Sequence, residues 1–441
     1  MAAALPDGLL LTYYGDDFTG STDVAEVLTF NGLPTLLYLG EGEIQRLKAP
    51  EGYRAVGVAG VSRSQSPAWM SGHLPGIFEH LRALGGRICH YKVCSTFDSS
   101  PEVGSIGKAI EIGREVFGRQ WVPMVVGAPA LDRYTVFGNL FASIREVTYR
   151  LDRHPVMSRH PVTPMDEADL REVLRRQADL RVELFDILAL ARPDYRERFE
   201  ELAAADPDVV LFDTLDEQSL VRAGELSWNA RGDGPFFAAA SSGLQYAFVA
   251  YWRHAGLLPE RPSIASVPAL DRIVVVSGSC SAMTEAQIRY AIEHGYCGIR
   301  LDARELAESN GSAREAYTKT ALGALKEGRS VVLYSALGPE DPCLTSKDAQ
   351  ISERLAIETG KILREILVQS DVRRTVVAGG DTSSHAGQQL GLYAVTPIRP
   401  AAPGSPLCRA WSDGPLDGLE VVFKGGQRGE ADFFDKVRLG A

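Results

Sequence analysis

Two adjacent carboxylates, Asp16 and Asp17, stand in the run Gly15-Asp16-Asp17-Phe18-Thr19-Gly20-Ser21-Thr22-Asp23, directly after a β-rich apolar stretch. Neighbouring carboxylates repel unless a cation or a hydroxyl donor lies between them. A sugar polyol or a hydrated magnesium ion would meet that need. An N-cap aspartate beside a solvated one would explain the same pair without chemistry. A second run, Lys92-Val93-Cys94-Ser95-Thr96-Phe97-Asp98-Ser99-Ser100-Pro101, offers one cation, four hydroxyls and a carboxylate. That inventory suits a hydroxy acid: Lys92 for its carboxylate, and Ser95, Thr96 and Asp98 for its alcohols. A hydroxyl-rich cap before a helix near Gly104 would use the same residues.

Basic groups follow in Arg133-Tyr134-Thr135-Val136 and in the segment from Arg153 to Met165, which carries His154, Arg159 and His160 among prolines. In an acidic chain this segment reads either as an anion-binding wall or as a proline-stiffened surface loop. No carboxylate lies between His154 and His160 to complete a metal site. Gly104-Ser105-Ile106-Gly107-Lys108-Ala109 resembles a P-loop but fails it. The spacing is short and Ala109 lacks the metal-binding hydroxyl. Further on, three Gly/Ser clusters each follow a strand candidate: Ser277-Gly278-Ser279-Cys280-Ser281, Gly379-Gly380-Asp381-Thr382-Ser383-Ser384 and Lys424-Gly425-Gly426-Gln427-Arg428-Gly429. Small residues let backbone N–H groups approach a phosphate at a helix start. Three such clusters in one half point to a phosphate or nucleotide site rather than to ordinary turns. A thiol enzyme built on Cys94 and His90 is a rival, disfavoured because His90 falls within a strand and Cys94 beyond its end.

The elements that must position these loops alternate. Strand-like runs occur at Leu9–Tyr14, Thr35–Leu39, Ala55–Val61, Arg87–Lys92, Val122–Val126, Val209–Phe212 and Phe236–Ala239, with amphipathic stretches between most of them. After Gly256–Pro268, a proline-rich break, the alternation restarts with strands at Arg272–Val276, Cys297–Leu301, Ser330–Tyr334, Thr375–Ala378 and Leu419–Phe423. This predicts two α/β domains with mainly parallel sheets and an interdomain active-site cleft, divided as residues 1–258 and 268–441. The 441 residues carry 46 Lys plus Arg against 57 Asp plus Glu, a net charge of −11, which argues against nucleic acid and anionic membranes as partners. The six cysteines show no C-x-x-C spacing, and the start of the chain lacks a basic, apolar leader. A reduced, cytoplasmic protein is the expectation.

Taken together, GDDFTGSTD (15–23), KVCSTFDSSPEVGSIG (92–107), RYTVFGNLF (133–141), HPVMSRHPVTPM (154–165), Ser241-Ser242-Gly243-Leu244, SGSCS (277–281), AGGDTS (378–383) and KGGQRG (424–429) resemble the four-carbon acid sugar kinase family over nearly the whole chain. The resemblance implies a sugar-acid-binding N-terminal domain and an ATP-binding C-terminal domain. It implies transfer of the γ-phosphoryl group to a terminal hydroxyl, with ATP and Mg²⁺ required and the metal ligands left open. By motif, Asp16, Asp17, Lys92, Ser95, Thr96, Arg159 and His160 would face the acid, with Asp17 preferred as the base. Ser277, Ser279, Ser281, Gly379, Gly380, Asp381, Thr382, Gly425 and Gly426 would face ATP. Cys94 and Asp98 replace the aspartate and arginine that many members carry there, which favours a 3-oxo or branched acid such as 3-oxo-tetronate or 3-oxo-isoapionate. A non-catalytic sensor of nucleotide or sugar acid is the alternative, and homodimerisation is left open. Both ligands are anions, so Lys92, Arg133, Arg153, Arg159, Lys424 and Arg428 are expected to oppose the acidic background.

Overall fold

The computed structural model describes residues 4–440 except 145, 161, 230–234, 260, 310, 342–348, 380–382 and 384–386. In chain order its strands are β1 (Leu11–Gly15), β2 (Thr35–Tyr38), β3 (Ala55–Ala59), β4 (Ile88–Lys92), β5 (Val122–Val125), β6 (Arg133–Val136), β7 (Asn139–Ile144), β8 (Val147–Arg150) and β9 (Val182–Phe185). They continue as β10 (Val209–Phe212), β11 (Phe236–Ala240), β12 (Val274–Ser277), β13 (Cys297–Arg300), β14 (Val331–Tyr334), β15 (Arg374–Ala378), β16 (Ala394–Ala402), β17 (Ser405–Trp411) and β18 (Glu420–Lys424). The chain divides into two compact units, Met1–Leu36 with Glu41–Pro262, and Leu37–Gly40 with Ser263–Ala441.

In the first unit all five residues of β1, β3 and β4 are buried, as strands of a parallel sheet covered on both faces are, even though β4 carries His90 and Lys92. β1 pairs in parallel with β3 on one side and β4 on the other, and β11 extends the sheet beyond β4. The chain leaves β1 toward β3 and later returns to the other side as β4. The crevice at a strand order that splits this way is where parallel α/β sheets take ligands. β5, β10 and β9 form a second parallel sheet, tied to the end of β11 by Ser241, whose N–H donates to Val125 O (3.2 Å) and whose Oγ donates to Val126 O (2.6 Å). Tyr14 and Tyr91 stack at 6.0 Å between centroids, with Phe78 edge-on to both.

One part of this unit departs from the alternating pattern. β6, β7 and β8 form an antiparallel sheet through Arg133–Arg150, where the sequence suggests only a basic segment. Their residues are largely half-buried or exposed, so the apolar signal that marks the parallel strands is missing. After this sheet comes a short helix at Leu170–Arg175, capped by Asp169.

The second unit orders its strands β16-β17-β18-β15-β12-β14-β13. The pairs from β18 to β13 are parallel, and β17 runs antiparallel to both neighbours. Here β12 is the splitting strand, with β14 on one side and β15 on the other. Its core gathers Ile273, Val275, Ile288, Val332, Val376, Val422, Phe433 and Val437. Leu37 and Tyr38 pair antiparallel with Val395 and Ala394, and the Leu39 N–H donates to Tyr393 O at 3.0 Å. Among the described residues, no helix is long and apolar enough to cross a membrane.

Candidate active site

At the end of β1 the backbone turns at Asp17, whose extended φ/ψ (−140°, 165°) makes it the N-cap of the helix Phe18–Thr29. Its Oδ1 accepts the Gly20 N–H (2.9 Å) and its Oδ2 accepts the Thr19 hydroxyl (2.7 Å). A Cβ on Gly20 would lie 2.4 Å from Asp17 Oδ1 and 2.9 Å from Lys92 Nζ, so only glycine lets the helix start beside both charges. Asp16 turns inward. Its side chain is 1% exposed against 23% for Asp17.

A cation from the chain itself bonds both carboxylates. It is Arg63, from the short turn Ser62–Ser64 after β3. Arg63 Nε donates to Asp16 Oδ2 (3.1 Å), and Nη2 donates to Asp16 Oδ1 (2.6 Å) and Asp17 Oδ1 (2.7 Å). The turn is pinned by the Arg63 N–H on Asp16 O (2.9 Å) and by Ser62 Oγ against Tyr91 Oη (2.9 Å). Burial pushes the Asp16 carboxyl above its usual range, and Arg63 opposes this only in part. Burial acts on Asp17 the same way. There Arg63, Lys92, Thr19 and Gly20 together outweigh it and hold the carboxyl below its usual range. The rule that residues after strand ends matter was the signal for Arg63, and it applies to β3 as much as to β1.

Lys92, the last residue of β4, is buried at 2% exposure, and its Nζ donates to Val93 O (2.7 Å). Beyond it, Cys94 Sγ lies 3.1 Å from Thr96 Oγ1, which donates to Asp98 Oδ1 at 2.9 Å. Phe97, fully buried, takes a left-handed φ of 57°, a conformation that costs a non-glycine residue and that folds Asp98 back onto Thr96. Ser95 is half-buried on the same loop.

His90 makes no thiol dyad. Its Nε2–H donates to Ala240 O (2.8 Å) and its Nδ1 accepts from Gln245 Nε2 (2.9 Å). Burial pushes the imidazole down to about 3 and raises the Cys94 thiol, the reverse of what an activated cysteine needs.

Arg159 is exposed, and His160 Nδ1 accepts the Thr163 N–H at 3.1 Å and lies 2.9 Å from Thr163 Oγ1. Among the described residues, no hydrogen bond or ion pair joins either to Asp16, Asp17 or Lys92. Arg133 donates to the carbonyls of Leu131 and Asp132, and Arg153 pairs with Asp152 at 3.4 Å while 77% exposed. Asp213, at the end of β10, is a buried carboxylate that the sequence reading passed over. It accepts the N–H groups of Phe137 (2.6 Å), Gly138 (3.0 Å) and Ile187 (3.0 Å). Burial outweighs those bonds and pushes its pKa up to about 6.

In the second unit the three small-residue loops meet at the split around β12. The Gly278 N–H donates to Ala378 O (3.1 Å), and the Gly379 N–H donates to Lys424 O (2.8 Å). Ser281 caps the helix Ala282–Glu293, and the Ser277 Oγ accepts the Ser279 N–H at 3.3 Å. The Gly426 carbonyl accepts from Ser281 Oγ (2.5 Å), Thr284 Oγ1 (2.8 Å) and Lys424 Nζ (3.2 Å). A Cβ on Gly426 would lie 2.5 Å from Ser279 Oγ. The loop after β18 therefore lies flat on the serine loop, with Gly425 beside it. Lys424 is not a free cation opposing the acidic background. It is fully buried, turned onto Thr284 and the Gly425 and Gly426 carbonyls, and burial, with Arg428 adding to it, pushes its pKa down to about 7. Gly380, Asp381 and Thr382 lie outside the described residues.

Residues 11–248 match the model of the sugar-binding N-terminal domain and residues 274–434 that of the nucleotide-binding C-terminal domain. Over its full length the chain is 50% identical to a 3-oxo-isoapionate kinase of Paraburkholderia graminis, covering 96% of that protein. It is 31% identical to a 3-oxo-tetronate kinase of Cupriavidus necator, over 99% of this chain and 98% of the relative. A crystal structure of a Haemophilus influenzae protein superposes with a TM-score of 0.75 at 25% identity, over 97% of this chain and 99% of the other. A sugar-binding domain followed by a nucleotide-binding domain defines a class of ATP-using kinases acting on sugar acids. The chain belongs to that class, the four-carbon acid sugar kinase family. The full-length relatives are enzymes, so a non-catalytic sensor is not favoured.

Proposed function

We propose that the chain phosphorylates a hydroxyl of a branched 3-oxo sugar acid of the 3-oxo-isoapionate type. The observation that carries this reading is the Asp17 carboxylate, kept ionised between Arg63 and Lys92 at the strand ends of the sugar-binding unit. The full-length likeness to a 3-oxo-isoapionate kinase supports it, as do Cys94 and Asp98 in the loop after β4. In this reading the substrate hydroxyl oxygen bonds to the γ-phosphorus, the bond to the β-phosphate oxygen breaks, and Asp17 takes the hydroxyl proton. Lys92, Ser95, Thr96 and Asp98 bind the acid, with Arg159 and His160 completing the wall.

The loops at Ser277–Ser281, Gly379 and Gly425–Gly426 hold the nucleotide, and their close backbone approach fits a phosphate cradle. Magnesium neutralises phosphate charge in such transfers and needs few protein ligands. The test is an ADP-release screen over C4 and C5 acids, with 3-oxo and branched forms included. Acid-dependent release, fastest with the branched 3-oxo acid, is expected. Binding of nucleotide and acid without release would overturn the reading.

A further inference from the structure

We propose that Arg63 is the specificity residue for the acid's carboxylate, a role that rests on the sugar-acid reading above. A guanidinium has five N–H donors in a planar fork. Three donations are accounted for: Nε and Nη2 to Asp16, and Nη2 to Asp17. Nη1 has no partner among the described residues. The side chain is 23% exposed, against 1% for the Asp16 that it clamps.

A second cation beside it is also undersupplied. Lys92 is 2% exposed, yet its ammonium has a single acceptor, the Val93 carbonyl. A buried lysine with one acceptor and a half-buried arginine with an unused N–H edge, both acting on the Asp17 carboxylate, together fit an anionic oxygen. Asp17 already spends most of its acceptor capacity on other donors. Its Oδ1 already accepts from Arg63 and Gly20, and its Oδ2 from Thr19. A carboxylate placed across Arg63 Nη1 and Lys92 Nζ would satisfy both cations and set the acid beside the Asp17 base. Arg63 would then have two roles, holding the aspartate pair in place and distinguishing an acid from its neutral analogue.

The test uses the full-length protein without ATP, titrated calorimetrically with threonate and with threonamide, which differ only in the carboxylate. Wild type is expected to prefer the acid by about 10- to 100-fold, the range of a charge-assisted contact. Arg63→Gln should bring the ratio close to one and leave ATP binding unchanged. Arg63→Lys, which keeps the charge but loses the fork, should retain part of the preference. The double variant Asp16→Asn/Arg63→Gln removes the buried pair together and serves if Arg63→Gln alone does not fold. A folded variant that lacks Arg63 yet keeps the full preference overturns the assignment. So does one that loses ATP binding while keeping the acid preference. Wild type that acts on no sugar acid in the ADP-release screen would overturn the substrate reading itself.

Discussion

Asp16 and Asp17 are chemically identical neighbours, and the fold gives them opposite tasks. Asp16 is buried and anchors the arginine through both of its oxygens. Asp17 caps a helix, reaches the surface and is biased toward staying ionised. Replacing Asp17 with Asn is therefore expected to lower kcat by about 10²–10⁴, with the KM for ATP little changed, measured on enzyme whose circular dichroism matches wild type. A loss below about tenfold would remove Asp17 from the role of base. Because its carboxyl lies below the usual range, Asp17 itself should add no acid limb to kcat/KM between pH 5 and 8. The aspartate pair and the Lys92 loop were legible in the sequence, since their residue types follow a strand directly. The partner of the pair was not, because Arg63 is 46 residues away along the chain and meets Asp17 only through the parallel pairing of β1 with β3.

Among the elements, the loop after β18 shows how a strand end becomes a binding surface. Its carbonyls turn inward to Lys424, Ser281 and Thr284, which fixes the orientation of the peptide planes that follow. Lys424 is charged below about pH 7 and loses its proton as pH rises through that value, because burial has lowered its pKa from 10.5. The inward bonds weaken on deprotonation, so ATP affinity is expected to fall between about pH 6.5 and 8.5. Lys424→Met should bind ATP more weakly with little pH dependence, and fluorescence titration with an ATP analogue across that range would check both. A wild-type affinity independent of pH would show that Lys424 does not control the loop. The glycine clusters could be read from sequence because small residues after apolar strands are informative. The inward turn of Lys424 could not, since a lysine beside glycines also fits a phosphate ligand.

At the scale of the whole chain, the fully buried parallel strands stood out in the sequence as apolar runs, and their ends were placed to within a few residues. The antiparallel β6–β8 sheet and the β16–β17 pair did not, because half-exposed strands carry polar residues and their pairing is set by neighbours distant in sequence. One buried group should govern how the first unit responds to acid. His90 is held neutral, its pKa pushed from 6.5 down to about 3 by burial. An unfolded chain takes up a proton there below about pH 6.5, whereas the folded chain does so only near 3. Stability present above pH 6.5 is therefore lost as pH falls, by ~1.4 kcal/mol per pH unit from this group. Urea unfolding followed by tryptophan fluorescence at pH 7.5 and 5 should show the loss, since Trp69, Trp121, Trp228 and Trp252 all belong to the first unit. His90→Gln should show a smaller decline over the same interval, and an equal decline would assign the effect to other groups.

The short run Leu37–Gly40 has a consequence for how this gene can be cut or shuffled. It takes in the end of β2, early in the sequence, yet its backbone pairs with the edge of β16 in the second unit. Severing the chain at the proline-rich stretch 256–268 would separate β16 from that partner and leave its N–H and C=O groups open to another chain. Recombination that exchanged one half for a homologous half would inherit a strand matched to the wrong sheet. Those four residues tie an early segment of the chain to the sheet of the second unit.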